Sequence, residues 1–284
     1  MKMRLSPSII LRAGLSRAGA PRSGLFRTAV SRAGEGKGAA WAPLAGLALA
    51  LAAWTLLTSP AVGLNPILEV FSPARALEAL NRVVQQQRTW THILVSLRRV
   101  GVGLAIAFLA GVPAGLLIGR LRWLERASSG AIQFVRMISP ISWMPIAVMV
   151  LGIGDAPIYF LLAVSAVWPI LLSTAEGVRR VDRRWIEMAR SLGASSAEIL
   201  RHVVIPAVAS HVVTGLRLGL GVAWIVLVPA EMLGVRAGLG YAILDARDRL
   251  AYPEVMAIIL VIGFIGWSMD ALIRRIQAQR WRVS

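Results

Sequence analysis

Six runs of about 20 apolar residues, at 39–59, 93–119, 132–153, 157–176, 207–230 and 254–273, restrict this chain more than any other feature. No water reaches a backbone N–H or C=O inside hydrocarbon, so runs of this length must form α-helices that satisfy their own amides. The expected fold class is an all-α integral membrane protein with six transmembrane helices. Composition agrees: 57% of the 284 residues are hydrophobic and 16% are charged, against about 25% charged in ordinary soluble domains. A soluble core could not hide so many apolar side chains. The chain has no cysteine, which removes disulfides, thiolate nucleophiles and cysteine metal sites.

A net charge of +17 would point to nucleic acid in a soluble protein, but in a membrane chain the basic residues are first sorted by side. With both termini in the cytoplasm, the inner segments hold Lys2 to Lys37, Arg120, Arg122, Arg126, Arg136, the basic set from Arg179 to Arg201, and Arg274, Arg275, Arg280 and Arg282. The outer segments hold only Arg75, Arg82, Arg88, Arg98, Arg99, Arg236, Arg247 and Arg249, and Arg217 falls within a span. Positive charge stays inside, so this orientation is favoured and no nucleic-acid partner is expected. Arg98 and Arg99 fit it least well; they are expected at the outer interface, where long side chains snorkel to water.

Residues 1–38 form a separate basic region. Arg12, Arg17, Arg22, Arg27, Arg32 and Lys37 recur every five residues, a spacing that scatters them around a helix instead of lining one face. The expected state is a disordered tail held inside by anionic membrane lipid; the alternative is an organelle transit peptide, also arginine-rich and acid-poor. Residues 39–90 then carry the first span and an extracytoplasmic interfacial helix. That helix opens at Ser72-Pro73, with Leu77, Leu80 and Val84 on one face.

Between the fourth and fifth spans, residues 181–206 carry local signals of a short helical hairpin. Asp182 is placed to cap a first helix from about Arg183 to Leu192, and Gly193 supplies the left-handed residue that ends it. Ser195 and Glu198 have capping-box spacing for a second helix, which Pro206 stops or hands to the next span. The pattern Glu187-Met188-Ala189-x-x-x-Gly193, followed after nine further residues by Val203-x-Ile205-Pro206, resembles the EAA loop of ABC importer permeases. Met188, Val203 and Ile205 replace the usual alanine, isoleucine and leucine.

The similarity extends from about Thr91 to Arg275. Ala166-Val167-Trp168-Pro169-Ile170, Gly215-Leu216-Arg217-Leu218 leading to Ala223-Trp224, and Pro229-Ala230-Glu231-Met232-Leu233-Gly234 before Gly238-Leu239-Gly240-Tyr241 look like the nitrate, sulfonate and taurine (bicarbonate) branch of these binding-protein-dependent permeases. The resemblance implies a type I, MetI-like permease architecture, with a core at 91–275 and a cytoplasmic tail at 276–284. It also implies a homodimer in the bacterial inner membrane, cytoplasmic ATPase subunits docked on the hairpins, and an extracytoplasmic binding protein that delivers a small anion. Glu187, Ala189, Gly193, Ser195, Glu198, Ile205 and Pro206 are then the expected ATPase-coupling residues. A non-anionic substrate such as a vitamin precursor is the alternative within the family.

Other chemistries lack their parts. A phosphate-binding P-loop needs G-x-x-x-x-G-K-[ST]; Lys2 and Lys37 are the only lysines, and neither sits in that frame. ATP hydrolysis therefore belongs to another chain, and no cofactor is expected. His92, His202 and His211 are far apart, so no metal site is expected. An ion-gradient transporter would place paired carboxylates or histidine relays inside spans; Asp155 and Asp270 instead fall near span ends, where carboxylates are usually solvated.

Within the spans, Gly111, Gly115 and Gly119, and again Gly215 and Gly219, have the spacing of close helix contacts. Pro140 and Pro145 predict a bent, pore-facing third span. Arg217 is the one basic residue deep in a span: it faces a water-filled path and attracts an anion, or it snorkels or pairs with a carboxylate. Trp224 and Glu231 complete the expected substrate path. The loop after Glu231, with a helix from Tyr241 to Leu250, either docks the binding protein or is a solvated face.

Overall fold

A computed structural model describes residues 42–59 and 66–280, and the described residues contain helices and connecting turns without strands. The basic segment 1–38 and residues 281–284 lie outside them. The helices are α1 (Ala42–Leu57), α2 (Pro66–Val70), α3 (Pro73–Gln85), α4 (Gln87–Arg120), α5 (Arg122–Met137), α6 (Met144–Leu151), α7 (Asp155–Arg179), α8 (Arg183–Ser191), α9 (Ser196–Ile199), α10 (Ile205–Glu231), α11 (Leu239–Asp248) and α12 (Tyr252–Arg280). α1 is a 16-residue apolar helix belonging to a unit that ends at Leu56. The remainder forms a second unit, which carries all the features below.

Four helical segments of this unit are long and apolar enough to cross a membrane: Gln87–Arg120, Asp155–Arg179, Ser196–Glu231 and Tyr252–Gln279. The third expected span, 132–153, is not one continuous helix. α5 and the Pro140–Leu151 segment meet at 86°, after a break at Ile138 and Ser139. Pro140 opens a short 3-10 turn, and Pro145 stands in the first turn of α6. Each proline thus sits where its missing N–H leaves no helical carbonyl orphaned, and the price is the sharp corner between the two helices.

α7 is the centre of the unit. Over its apolar window 56% of residues are buried, against 17% in α12, which lies at the periphery of this unit. Small residues let α7 be gripped from two sides. α4 presents Gly103, Gly111, Gly115 and Gly119; a Cβ at Gly115 would lie 2.6 Å from the Leu171 carbonyl oxygen. α10 presents Gly215 and Gly219, and a Cβ at Gly215 would lie 2.9 Å from the Ile170 Cα. Ile158, Leu161, Leu162, Ala166 and Ile170 fill the space between, with Ala223 and Leu227 of α10.

α3 starts with Pro73 in its first turn, but Ser72 makes no side-chain cap bond. Its buried residues are Ala76, Ala79 and Val83, while Leu77 and Val84 are exposed. Leu77 and Val84 thus stand on the side of α3 away from this packing, and Leu80 is half-buried at its edge. Small side chains admit close packing on the Ala257 and Ile258 turn of α12 and on Leu239 and Ala246 of α11, and the larger ones turn outward. The helix expected at Tyr241–Leu250 is α11, at Leu239–Asp248.

Candidate functional site

The hairpin is built from interlocking caps. The Asp182 carboxylate accepts a 2.9 Å bond from the Arg184 amide and opens α8. At the other end Gly193 has φ +80°, its amide donates to the Arg190 carbonyl (2.9 Å), and the Ala194 amide donates to the Ala189 carbonyl (3.0 Å). This double closure is a Schellman motif, which needs a left-handed residue at the glycine position. Ser195 then opens α9: its hydroxyl accepts from the Glu198 amide (3.3 Å), and the Glu198 carboxylate accepts from the Ser195 amide (2.8 Å). The two halves of the capping box satisfy each other.

Pro206 does not end this helix. Residues Leu200–Val204 form one π-helical stretch, and Ile205 and Pro206 lead directly into α10. The hairpin is thus continuous with α10.

Glu187 is exposed and bonded to Arg183 one turn earlier, at 2.8 Å. Such an exposed pair holds neither partner firmly, so the carboxylate remains available to another chain. Trp185, Met188 and Leu192 are large, apolar and exposed; their spacing of three and four puts them on one stripe of α8. No residue of α8 is buried. The sequence pattern singled out Met188 only as a replaced alanine and passed over Trp185 and Leu192, whose spacing was the available signal.

The opposite end of the unit carries a buried polar network that the sequence did not reveal. Glu231, at the end of α10, is 0% exposed, and Arg99 of α4 is 2% exposed. Arg99 Nη1 donates to Glu231 Oε1 (2.8 Å) and to the Ala237 carbonyl (2.6 Å); its Nη2 and Nε donate to Asp155 Oδ1 (2.6 and 2.9 Å). Ser96 Oγ donates to Glu231 (2.8 Å) and accepts from the Leu239 amide (2.8 Å), and the Gly240 amide donates to Glu231 Oε2 (2.9 Å). His92 Nδ1 accepts from the Gly238 amide at 3.1 Å. Arg98 pairs with the other Asp155 oxygen, and the Tyr159 hydroxyl also reaches that oxygen.

This cluster corrects two expectations. Arg99 does not snorkel, because two carboxylates and a carbonyl satisfy its guanidinium inside the protein. Asp155 is paired with Arg98 and Arg99, not simply solvated. Glu231 is enclosed on all sides and has no free face toward water in this conformation. The loop glycines make the enclosure possible: a side chain at Gly240 would overlap the Val228 carbonyl, and one at Gly238 would overlap the Glu231 carboxylate. Among the described residues no buried side-chain polar atom lacks a partner.

Arg217 has a carboxylate partner. Its Nε donates to Asp270 Oδ1 of α12 at 2.6 Å, Arg274 approaches the same carboxylate at 3.3 Å, and Gln277 donates to Thr214 one turn away (2.9 Å). Asp270, expected to be solvated near a span end, is thus a shared anchor between α10 and α12. Trp224 is half-buried, and its indole lies against Gly266 of α12, where a Cβ would come within 2.5 Å of Nε1. The structure therefore brings Arg217 and Trp224 onto the α10–α12 contact and places Glu231 in the network at the far end. No group of three or more His, Cys, Asp or Glu able to hold a metal occurs among the described residues.

The described residues thus form an all-helical bundle with a capped hairpin continuous with one of its apolar helices. Residues 111–280 match the family described as binding-protein-dependent transport system inner membrane component, and the chain belongs to that family. It is 33% identical over 247 residues to the bicarbonate transport system permease protein CmpB of Synechococcus elongatus, covering 84% of this chain and 88% of the relative. It is 32% identical over 185 residues to the nitrate import permease protein NrtB of the same species, covering 64% and 66%. The fold is shared with the crystal structure of an amino acid ABC transporter with histidines, at 18% identity and TM-score 0.51, over 67% of this chain and 91% of that one. The chain is a multi-pass permease subunit of an ABC importer, a class that works with ATPase and binding-protein partners.

Proposed function

We propose that this permease carries a small anion, of the bicarbonate or nitrate type, delivered by an extracytoplasmic binding protein and driven by partner ATPases. The reading is supported by its similarity to a bicarbonate and a nitrate permease. The observation that carries the coupling half is the hairpin. Two capping motifs fix α8 without burying it, so Trp185, Met188, Leu192 and Glu187 are held out for a partner. In this proposal Ala189 and Gly193 set the turn, Ser195 and Glu198 hold the second helix, and Ile205 and Pro206 pass the displacement to α10. The complex is a homodimer in the bacterial inner membrane, with both termini cytoplasmic.

In the alternating-access cycle proposed here, ATP-driven closure of the ATPases moves the two hairpins, the rigidly joined α10 helices follow, and the path between the subunits opens outward. Arg217 and Trp224 act by positioning α10 against α12, which the Asp270 pairing supports, and Glu231 by holding the outer end of α10.

The test is uptake by right-side-out vesicles or proteoliposomes containing the complete complex, with ATP enclosed and the binding protein and substrate outside. Labelled bicarbonate or nitrate should accumulate with ATP and binding protein and be indifferent to an uncoupler; accumulation that follows a proton gradient would make it a secondary transporter. A reporter fused after Arg190 should read cytoplasmic and one after Asp248 extracytoplasmic, and a reversal of this pair would take the hairpin away from ATP.

A further inference from the structure

A cleft of about 410 Å³ opens where α4, α7 and the start of α10 diverge beneath the hairpin. Leu116, Val178 and Val181 line one side, and Ile199, Leu200 and Val204 the other. Its rim is basic: Arg120 and Arg122 stand on the α4–α5 side, and Arg183 and Arg190 on α8. Glu187 is the one carboxylate in a lining that holds four arginines, so the rim keeps a net positive charge. Arg120, Arg122 and Arg190 are exposed and, among the described residues, form no ion pair. Three guanidinium groups without an ion pair among the described residues, set around an apolar floor, concentrate positive charge at the mouth of one recess, where it attracts anions.

The depth of the cleft says what the anion is attached to. Leu116 lies one turn before the end of α4, Val178 is in the last turn of α7, and Val204 immediately precedes α10, so the cleft sits at the ends of three apolar helices, the level at which hydrocarbon is expected to give way to headgroups. Trp123, next to Arg122, is 76% exposed, and indoles concentrate at that interface. A free anion would use the arginines and leave the apolar floor wet. A phospholipid uses both: its phosphate meets the guanidinium forks, and the glycerol and first acyl carbons cover the floor. A choline headgroup would bring its own cation against the rim, so an anionic headgroup fits and a zwitterionic one does not.

We propose that this cleft is a binding site for one anionic phospholipid, such as phosphatidylglycerol, seated between the coupling hairpin and the ends of α4 and α7. The lipid forms part of the surface on which α8 rests, in place of the protein core that α8 lacks.

The test uses the purified full-length chain in nanodiscs of mixed phosphatidylcholine and phosphatidylglycerol. After mild delipidation, retained lipid is counted by native mass spectrometry, and a photoactivatable phosphatidylglycerol is mapped by cross-linked peptide. One phosphatidylglycerol should be retained in preference to phosphatidylcholine, with cross-links in 116–122 and 178–204. The double variant Arg120→Gln, Arg190→Gln removes one cation from each wall and should reduce retention roughly tenfold. The double variant Arg82→Gln, Arg236→Gln, with equal charge loss away from the cleft, should retain it. Equal retention of both lipids, unaltered retention in the cleft variant, or full displacement by millimolar inorganic phosphate would each overturn the site. No transport measurement enters, so the outcome is independent of which solute is carried.

Discussion

The two ends of this permease solve opposite problems. At the hairpin, nearly all order is local: Asp182, Gly193, Ser195 and Glu198 close three caps within about 17 residues, and none of α8 is buried. At the far end order is almost wholly long-range, with Ser96 and Arg99 bonded to Glu231 across more than 130 residues. The surface proposed to meet the ATPase is ordered without being covered. A junction of spans that must not slip is made rigid by burying charge and satisfying every lone pair. The first kind of order fails gently when one bond is lost; the second fails abruptly.

The comparison is broken most severely at Glu231. Glu231→Ala leaves the Arg99 charge buried with one carboxylate instead of two, and removal of one partner from a buried pair costs about 3 to 5 kcal/mol. Folded yield in detergent and the melting temperature of the purified protein should fall sharply, and Arg99→Ala should act alike. The double variant Arg99→Met, Glu231→Leu should recover part of the loss. Additive losses in the double variant would show that the two side chains do not act as one pair.

Gly193→Asp should come next, with its effect on function instead of yield. The left-handed turn strains any residue with a Cβ by about 1 to 2 kcal/mol, too little to prevent insertion, and open space surrounds the site. ATP-dependent uptake should be lost while membrane yield stays near normal. Ordinary uptake in this variant would separate the hairpin from coupling.

Ser195→Ala sharpens the same point. Loss of an N-cap hydroxyl typically costs about 1 kcal/mol, and here it opens one half of the capping box. Amide hydrogen exchange should rise in 196–199 while protection in the Arg99 network is unchanged. A rise at both ends would mean that the hairpin and the network are one cooperative unit.

Arg217→Gln should have the smallest effect. Arg217 and Asp270 keep 35% and 37% of their side chains exposed, and pairs of that kind contribute about 0 to 1 kcal/mol. Uptake normalised to assembled complex should stay within about twofold of wild type, with a slight loss in melting temperature. A normalised rate many-fold lower would return Arg217 to the anion path.

The hairpin was legible from sequence because its determinants lie within one or two turns of each other. Ser195 and Glu198 carry the capping box in their spacing, and Gly193 announces a left-handed residue. Trp185 and Leu192 were legible in principle, as a helical stripe, but exposure cannot be read from spacing alone. Asp155 and Asp270 looked like ordinary span-end carboxylates because a carboxylate's role depends on which cation lies across the bundle, and no local pattern states that.

By itself the sequence determined that the chain must span a membrane, because its apolar runs exceed what a soluble core can hold, and that a capped hairpin interrupts those spans. It also placed the glycines by which α4 and α10 approach another helix. Only the tertiary structure decided that α7 is the helix they both grip, that Pro140 and Pro145 turn the third span through 86°, and that Arg99 is enclosed with Glu231 instead of reaching for water. The physical reason is range. Caps, turns and hydrophobic period are set by neighbours along the chain, whereas the cost of burying a charge is settled only when helices distant in sequence bring its partners together.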